Sequence, residues 1–238
     1  MRLTGVGMGP GDPELVTVKA VRVLQEAALV VVPVMSLDEV GRAEATVRVH
    51  VTHDRVRRLV FALDDRGGVT PQREQAWAEA ADVVAQALQD KGSVAFATIG
   101  DPNVYSTFTY LADAVRERLA DVEVATVPGI TAMQDLAARS GTVLCEGTES
   151  LALLPLTAGI EAFDEALTHF DTVVAYKGGR HMAAVRDVLA RHDRLGTAVF
   201  GTALGLAGEQ IGALPDGPAP YLSTVIVPAR RTSRGGKL

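Results

Sequence analysis

"TIGDPNVYSTFTYL" (98–111) decides the fold. The residues just before its break, "VAFATIG", form a continuous apolar run, the pattern of a strand buried on both faces of a parallel sheet. Gly100, Asp101 and Pro102 then interrupt the chain, and a helical pattern takes over in "NVYSTFTYLADAVRERLA" (103–120). Strand, sharp exit, helix is the βα unit of an α/β protein. The exit itself is crowded with an Asn, two tyrosines and several Ser/Thr hydroxyls, which a packed core would not accept without partners. In an open α/β sheet, ligands settle beyond the carboxyl ends of the strands. Asp101 could accept from ribose-type hydroxyls or an ammonium there, the backbone of residues 98–104 could bond an adenine-like edge, and Ser106 and Thr107 could add hydroxyls. A local reading stands beside it: Asp101-Pro102 is a turn, and Ser106 or Thr107 caps the helix that follows.

The same alternation extends in both directions. "RLTGVGMG" reads as a strand ending in glycines, followed by a helix over 12–27 with Asp12 as N-cap and Pro13 in its first turn. "ALVVVP" (28–33) is another apolar strand. A helix over 70–92 starts at Thr70 and stops at Gly92. "VEVATVPG" is a strand, and "ITAMQDLAARSG" (130–141) is a helix ended by Gly141. Beyond it, "SLALLPLT", "TVVAYKGG", "LGTAVFGTALGL" and "YLSTVIVPA" read as strands, with helices in "IEAFDEALTHF" and "RHMAAVRDVLARHD". The fold class is α/β, with two α/β domains that each carry a largely parallel or mixed sheet flanked by helices. The boundary falls near 113–122, giving 1–115 and 116–238.

The 238 residues supply ample core, with 47% hydrophobic and 22% charged residues. A net charge of −6 gives no whole-chain footprint for nucleic acid or an anionic membrane. The longest apolar runs, such as "AALVVVPVM" (27–35), reach about half of the ~20 residues that a bilayer span needs. The first residues lack the apolar run of a signal peptide. One cysteine, Cys145, excludes an internal disulfide framework and suits a reducing cytoplasm. The five histidines show no metal-ligand spacing, Trp77 on an alanine-rich helix reads as packing, and no cation neighbours Cys145 in sequence.

"GVGMGPGDP" invites a dinucleotide-fingerprint reading, but the spacing fails. From Gly5 the third glycine would stand at Pro10, and from Gly7 at Asp12. No G-K-[ST] follows, so a P-loop fails as well. What remains is a turn whose glycines let the backbone bend tightly and approach a ligand. "TVPGITAMQ" (126–134) and "VVAYKGG" (173–179) are further strand ends with polar, glycine-bearing exits, and the exits could converge on one cleft.

Taken together and in order, "GVGMGPGDPELVTVKAVRVLQEAALVVVP", "GDPNVYSTFTYL" and "VPGITAMQDLAA" resemble the S-adenosylmethionine-dependent tetrapyrrole methyltransferases of the cobalamin and sirohaem pathways, and "YLSTVIVPA" extends the likeness over nearly the whole chain. The run "GDPxxYSTFxYL" is most similar to members that methylate C20 of precorrin-2. "VFALDD" (60–65) departs from the usual phenylalanine-proline-methionine stretch at Ala62 and Leu63. The resemblance implies a cofactor cleft between two α/β domains, a homodimer in the cytoplasm, and S-adenosyl-L-methionine as donor with S-adenosyl-L-homocysteine as product. Carried over by position, the donor contacts are Pro10, Gly100, Asp101, Val104, Tyr105, Ser106, Thr107, Thr131, Ala132, Tyr176, Lys177 and Thr224. The implied reaction is transfer of a methyl group to C20 of precorrin-2, giving precorrin-3A. Alternatives are cobalt-factor II, another ring position or a protein-bound diphthamide precursor as acceptor, or a non-catalytic adenosine-nucleotide-binding module.

Methyl transfer from a sulfonium is an in-line displacement that needs no metal, so orientation and a dry site are the protein's contribution. The acceptor carries many carboxylates while this chain is acidic, so local cations must meet them. "HDRVRRL" (53–59), with Arg55, Arg57 and Arg58, and "KGGRH" (177–181), with Arg180, are the candidate clusters; a solvated basic face is the plain alternative. His53, Asp38, Tyr105 and Glu209 stand in predicted loops where a proton acceptor could sit, but each reads first as a surface or capping group. No catalytic residue is assigned.

Overall fold

The predicted alternation is present from the first residues. The structure is a computed structural model, and it describes residues 1–51, 54–61, 70–157 and 159–232. The chain divides into two units, Met1–Thr131 and Ala132–Leu238.

In the first unit, β1 (Arg2–Gly7) runs into the glycine turn. The single helix expected over 12–27 is split. Asp12 accepts from the Glu14 N–H at 2.9 Å and starts only a short 3₁₀ turn, Pro13–Leu15. Thr17 then accepts from the Ala20 N–H and caps α1 (Val18–Glu26). Two good capping residues five positions apart each begin a helix of their own. β2 (Leu29–Val34), α2 (Arg42–His50) and β3 (Val56–Val60) follow. α3 (Pro71–Lys91) has the expected ends: Thr70 accepts from the Arg73 N–H, and Gly92, at φ 82°, closes the helix. β4 (Ser93–Thr98), α4 (Phe108–Arg118) and β5 (Glu123–Val127) complete the unit.

All five strands are parallel, in the order β3-β2-β4-β1-β5. β4 shows why its sequence is apolar without alternation. Phe96 and Val94 pack with α3 and α4 on one face, and Ala95 and Ala97 pack with α1 and α2 on the other. From β1 the chain crosses to β2, while from the adjacent β4 it crosses to β5 in the opposite direction. The crevice beyond the carboxyl ends of β1 and β4 is therefore the topological switch point of the sheet.

The expected boundary at 115/116 is displaced. β5 pairs with β1 from Arg2↔Glu123 to Val6↔Val127, which ties the chain to the first sheet as far as Thr131. Strand pairing is a long-range choice that composition does not reveal.

The second unit contains α5 (Ala132–Ser140), β6 (Leu151–Pro155), α6 (Glu161–His169), β7 (Thr172–Tyr176), α7 (Met182–Arg191), β8 (Val199–Thr202), β9 (Gln210–Gly212) and β10 (Ser223–Val227). Its sheet is mixed, in the order β6-β7-β10-β8-β9, with only β6 and β7 parallel. α5 covers one face through Leu136, beside Val174 and Ile226. α6 and α7 cover the other through Phe163, Met182 and Leu189. Sequence patterning missed α2, β3 and β9. α2 has no side-chain N-cap bond, β3 carries two arginines, and β9 is three residues long.

Candidate active site: three glycine exits at the switch point

The exits of β1, β4 and β5 are fastened to one another. Past the end of β1, the Met8 N–H donates to the Thr98 carbonyl at 2.9 Å and the Gly100 N–H donates to the Gly9 carbonyl at 2.7 Å. Gly9 and Gly100 have φ values of 72° and 68°, in the region where a side chain is strained. Asp101, 9% exposed, clamps the third exit. One carboxylate oxygen accepts from the Asn103 N–H at 2.8 Å and the other from the Gly129 N–H at 2.9 Å. A Cβ on Gly7 would lie 2.5 Å from the Gly129 nitrogen and 2.7 Å from the Gly100 oxygen, so close approach also requires glycine there. Over Gly100, in contrast, a Cβ would meet nothing within 4 Å. Its backbone faces open space.

The exit of β4 shows the turn and capping contacts expected of "GDPNVYST". Asp101 forms the expected turn, and Tyr105 stands at φ 49°, a strained value for a non-glycine residue. Ser106 donates to the Thr98 hydroxyl at 3.2 Å and accepts from the Phe108 N–H at 3.1 Å. α4 thus begins at Phe108 rather than at residue 103. Pro10 and Pro102 are buried in this cluster, Val104 and Thr107 are half-buried, and Tyr105 is exposed, with burial of its hydroxyl raising its pKa. Thr131 is buried and ends the first unit, and Ala132 opens α5.

In the second unit, three of the residues carried over by position come together. Tyr176 ends β7 opposite Thr224 of β10, and its hydroxyl accepts from the Met133 N–H in the first turn of α5 at 2.8 Å. Lys177 follows at φ 60°, donates its N–H to the Ser223 carbonyl at 3.0 Å, and holds its ammonium 5.9 Å from the centre of the Tyr221 ring.

The basic cluster of residues 53–59 is largely engaged in structural contacts. Arg58 donates to both oxygens of Glu44, whose side chain is 0% exposed, and to the Leu37 carbonyl. Arg48 also bonds Glu44 at 2.8 Å. Burial pushes the Glu44 carboxyl up, but the hydrogen bonds from Arg58 and Arg48 outweigh it and leave the group below its ordinary pKa. Arg55 donates to the Ala27 and Gln25 carbonyls at the end of α1. Arg57 is exposed on β3. Arg180 is exposed and reaches the Thr157 carbonyl at 2.8 Å and the His181 ring at 2.9 Å.

Of the residues considered for proton removal, Glu209 accepts from Arg139 at 2.5 Å and from the Gly205 N–H at 2.7 Å, which fastens the loop after β8. Asp38 is exposed in the loop after β2. His53, Ala62 and Leu63 lie outside the described residues. Trp77 packs as expected and also stacks on Tyr110, with centroids 4.5 Å apart. The fold brings Arg231 into electrostatic range of Cys145, a neighbour the sequence did not reveal, although Arg231 itself is held by Glu149.

Gly7, Gly9 and Gly129 were not singled out as site residues; their signal was the recurrence of glycine at successive strand ends. Among the described residues, no three His, Cys, Asp or Glu side chains cluster to hold a metal ion, and no helix is long and apolar enough to cross a membrane. A cavity of about 240 Å³ opens beside α1, lined by Arg2, Lys19 and Ser93. It spans the amino ends of β1 and β4 and the last three residues of β5.

A parallel sheet with ligand-accessible glycine exits at its switch point defines a class of small-molecule-binding α/β protein. The sequence matches the model of the Tetrapyrrole (Corrin/Porphyrin) Methylases over residues 2–215. The chain belongs to this family. It is 34% identical over 236 residues to a precorrin-2 C(20)-methyltransferase from Sinorhizobium sp, covering 95% of each chain. It is 29% identical over 233 residues to the cobalt-precorrin-2 C(20)-methyltransferase of Salmonella typhimurium, again covering 95% of each. The uroporphyrin-III C-methyl transferase of Thermus thermophilus, solved with S-adenyl homocysteine, superposes with a TM-score of 0.67 at 21% identity, covering 96% of this chain and 97% of that one. The two-sheet α/β architecture expected from the sequence is shared with that structure.

Proposed function

We propose that the protein transfers a methyl group from S-adenosylmethionine to C20 of precorrin-2. The observation that carries the donor half is the knot of backbone formed by Gly7, Gly9, Gly100 and Gly129 at the switch point. S-adenosylmethionine, when bound, supplies an electrophilic methyl on a cationic sulfonium. The residues present fit such a group. The exits offer peptide N–H and C=O groups and hydroxyls, which suit a nucleoside, and Asp101 places negative charge beside them, which favours a cation and opposes a pyrophosphate. Gly100 leaves its backbone open to close approach. Pro10, Val104, Tyr105, Ser106, Thr107 and Thr131 of the first unit, with Ala132, Tyr176, Lys177 and Thr224 of the second, are the further proposed donor contacts.

The acceptor half rests on the likeness to the Sinorhizobium and Salmonella enzymes at full length. The reduced pyrrole-type system is already nucleophilic at its meso carbon, so positioning dominates, with the reacting atoms held about 3–3.5 Å apart. Among the cations named from sequence, Arg57 and Arg180 keep exposed guanidinium groups, whereas Arg55 and Arg58 serve the scaffold first. The family likeness also supports a cytoplasmic homodimer, which sedimentation of the purified protein tests.

The deciding experiment incubates the protein anaerobically with methyl-labelled donor and precorrin-2 and locates the label by NMR. Label at C20 is expected. Label at another ring carbon changes the assigned position, and donor binding without turnover on any tetrapyrrole overturns the enzymatic reading.

A further inference from the structure

Among the described residues, one cation near the switch point has a side chain without a structural partner. The arginines around it are spoken for: Arg48 and Arg58 hold Glu44, and Arg55 holds the end of α1. At Arg42, the first residue of α2, the carbonyl accepts from the Thr46 hydroxyl at 3.5 Å, but the guanidinium has no hydrogen bond or ion pair among the described residues. It stands where the helix dipole repels a positive charge. Burial around its guanidinium lowers its pKa, although the residue as a whole is exposed and the group stays charged at neutral pH. A desolvated, unpaired cation at an unfavourable helix position needs a reason.

Its placement supplies one. α2 docks against the turn that leaves β1 through residues spaced one helical turn apart. The Thr46 hydroxyl donates to the Gly11 carbonyl at 3.3 Å, and the His50 ring meets the Pro13 carbonyl at 2.7 Å. Arg42 is one turn before Thr46 on that face, and the loop 35–41 brings the start of α2 back to the carboxyl end of β2, where a Cβ on Gly41 would lie 3.0 Å from the Pro33 carbonyl. The loop leading into it exposes Met35 (56%), Leu37 (58%) and Val40 (60%). A cation beside an apolar lip suits a ligand with an apolar body and a carboxylate.

We infer that Arg42 is a ligand-binding residue that receives a carboxylate at the rim of the switch-point site. The inference rests on the function proposed above, which offers two sources: an acetate or propionate of the tetrapyrrole, or the amino-acid carboxylate of the donor. A guanidinium fork matches either. The lip favours the tetrapyrrole.

The test uses the full chain with R42Q and R42K. Both should melt close to the wild type, since the Arg42 side chain has no partner in the described fold and either variant keeps the backbone carbonyl that Thr46 meets. If the tetrapyrrole is the source, R42Q raises the KM for precorrin-2 about 10- to 100-fold, changes kcat little and leaves S-adenosylhomocysteine affinity intact, with R42K in between. If the donor is the source, R42Q weakens S-adenosylhomocysteine by a similar factor but not 5′-methylthioadenosine, which lacks the carboxylate. Either pattern supports the inference. Unchanged KM and donor-product affinity, or equal loss for both nucleosides, overturns it. A wild type that binds S-adenosylhomocysteine without methylating any tetrapyrrole defeats the function proposed above and with it the acceptor arm. The donor arm, read by calorimetry alone, still decides on Arg42.

Discussion

Replacing Gly7 with alanine tests the switch-point site directly. The added Cβ would lie 2.5 Å from the Gly129 nitrogen, 2.6 Å from its Cα and 2.7 Å from the Gly100 oxygen. All three are backbone atoms, so no side chain can swing aside. Reaching ordinary contact at 3.4 Å requires the exits of β1, β4 and β5 to part by about 0.9 Å. Overpacking of this kind costs about 1–3 kcal/mol, against which alanine regains roughly 0.5–1 kcal/mol of chain entropy. At about 2–4 °C per kcal/mol, the midpoint of these ranges corresponds to a fall in Tm of about 4 °C, with about 10 °C as the upper end. The same displacement pulls on the Gly100 to Gly9 hydrogen bond and on the Asp101 clamp, so S-adenosylhomocysteine affinity measured by calorimetry should drop by about tenfold or more. Gly92→Ala is the control. It stands at φ 82° with open space around it, at the end of α3 and the amino end of β4. It should lose about 1 kcal/mol of stability through backbone strain and leave ligand affinity alone. A G7A protein with both the wild-type Tm and wild-type affinity would refute the reasoning.

Further outcomes are expected at other positions. Asp101→Asn keeps the shape but turns an amide donor toward one of two backbone N–H groups, so it should cost about 1–3 kcal/mol and weaken S-adenosylhomocysteine, both readable in one ligand-shift melting experiment. Glu44→Gln breaks a buried ion-paired hub and should destabilise by about 3 kcal/mol in urea titration, while Arg57→Gln on the neighbouring exposed position should be nearly neutral. Glu44, Glu149 and Asp164 all titrate below their ordinary values. For Glu149 the hydrogen bond from Arg231 leads, and for Asp164 those from His192 and Arg191. A depressed carboxyl adds stability that is complete above its unfolded pKa and is lost as pH falls through the folded one. The contribution of these groups should therefore be full at neutral pH and should drain away below about pH 4.5, followed as Tm against pH. Tyr176→Phe leaves the Met133 N–H without its 2.8 Å acceptor and should cost about 1 kcal/mol by thermal melt.

Local chemistry accounts for what the sequence determined by itself. Continuous apolar runs made β2 and β4 legible, because a parallel strand buried on both faces has few polar positions to interrupt it, and β1 was legible from the glycine turn and capped helix that follow it. Thr70 and Gly92 marked both ends of α3 because caps act within a few residues. The glycine and hydroxyl content of the strand ends marked where a ligand could approach. Pairing across the chain was decided only in the tertiary structure. β5 looked like the start of a second domain until its ladder with β1 placed it in the first sheet. Asp101 looked like a simple turn residue or a ligand acceptor, and only the fold showed that its two oxygens also tie the exits of β4 and β5 together through the N–H groups of Asn103 and Gly129. "DRVRR" looked like one basic patch until a buried Glu44 took Arg58 and the end of α1 took Arg55. A charge is free or committed according to neighbours tens of residues away, and only the folded chain brings those neighbours into contact.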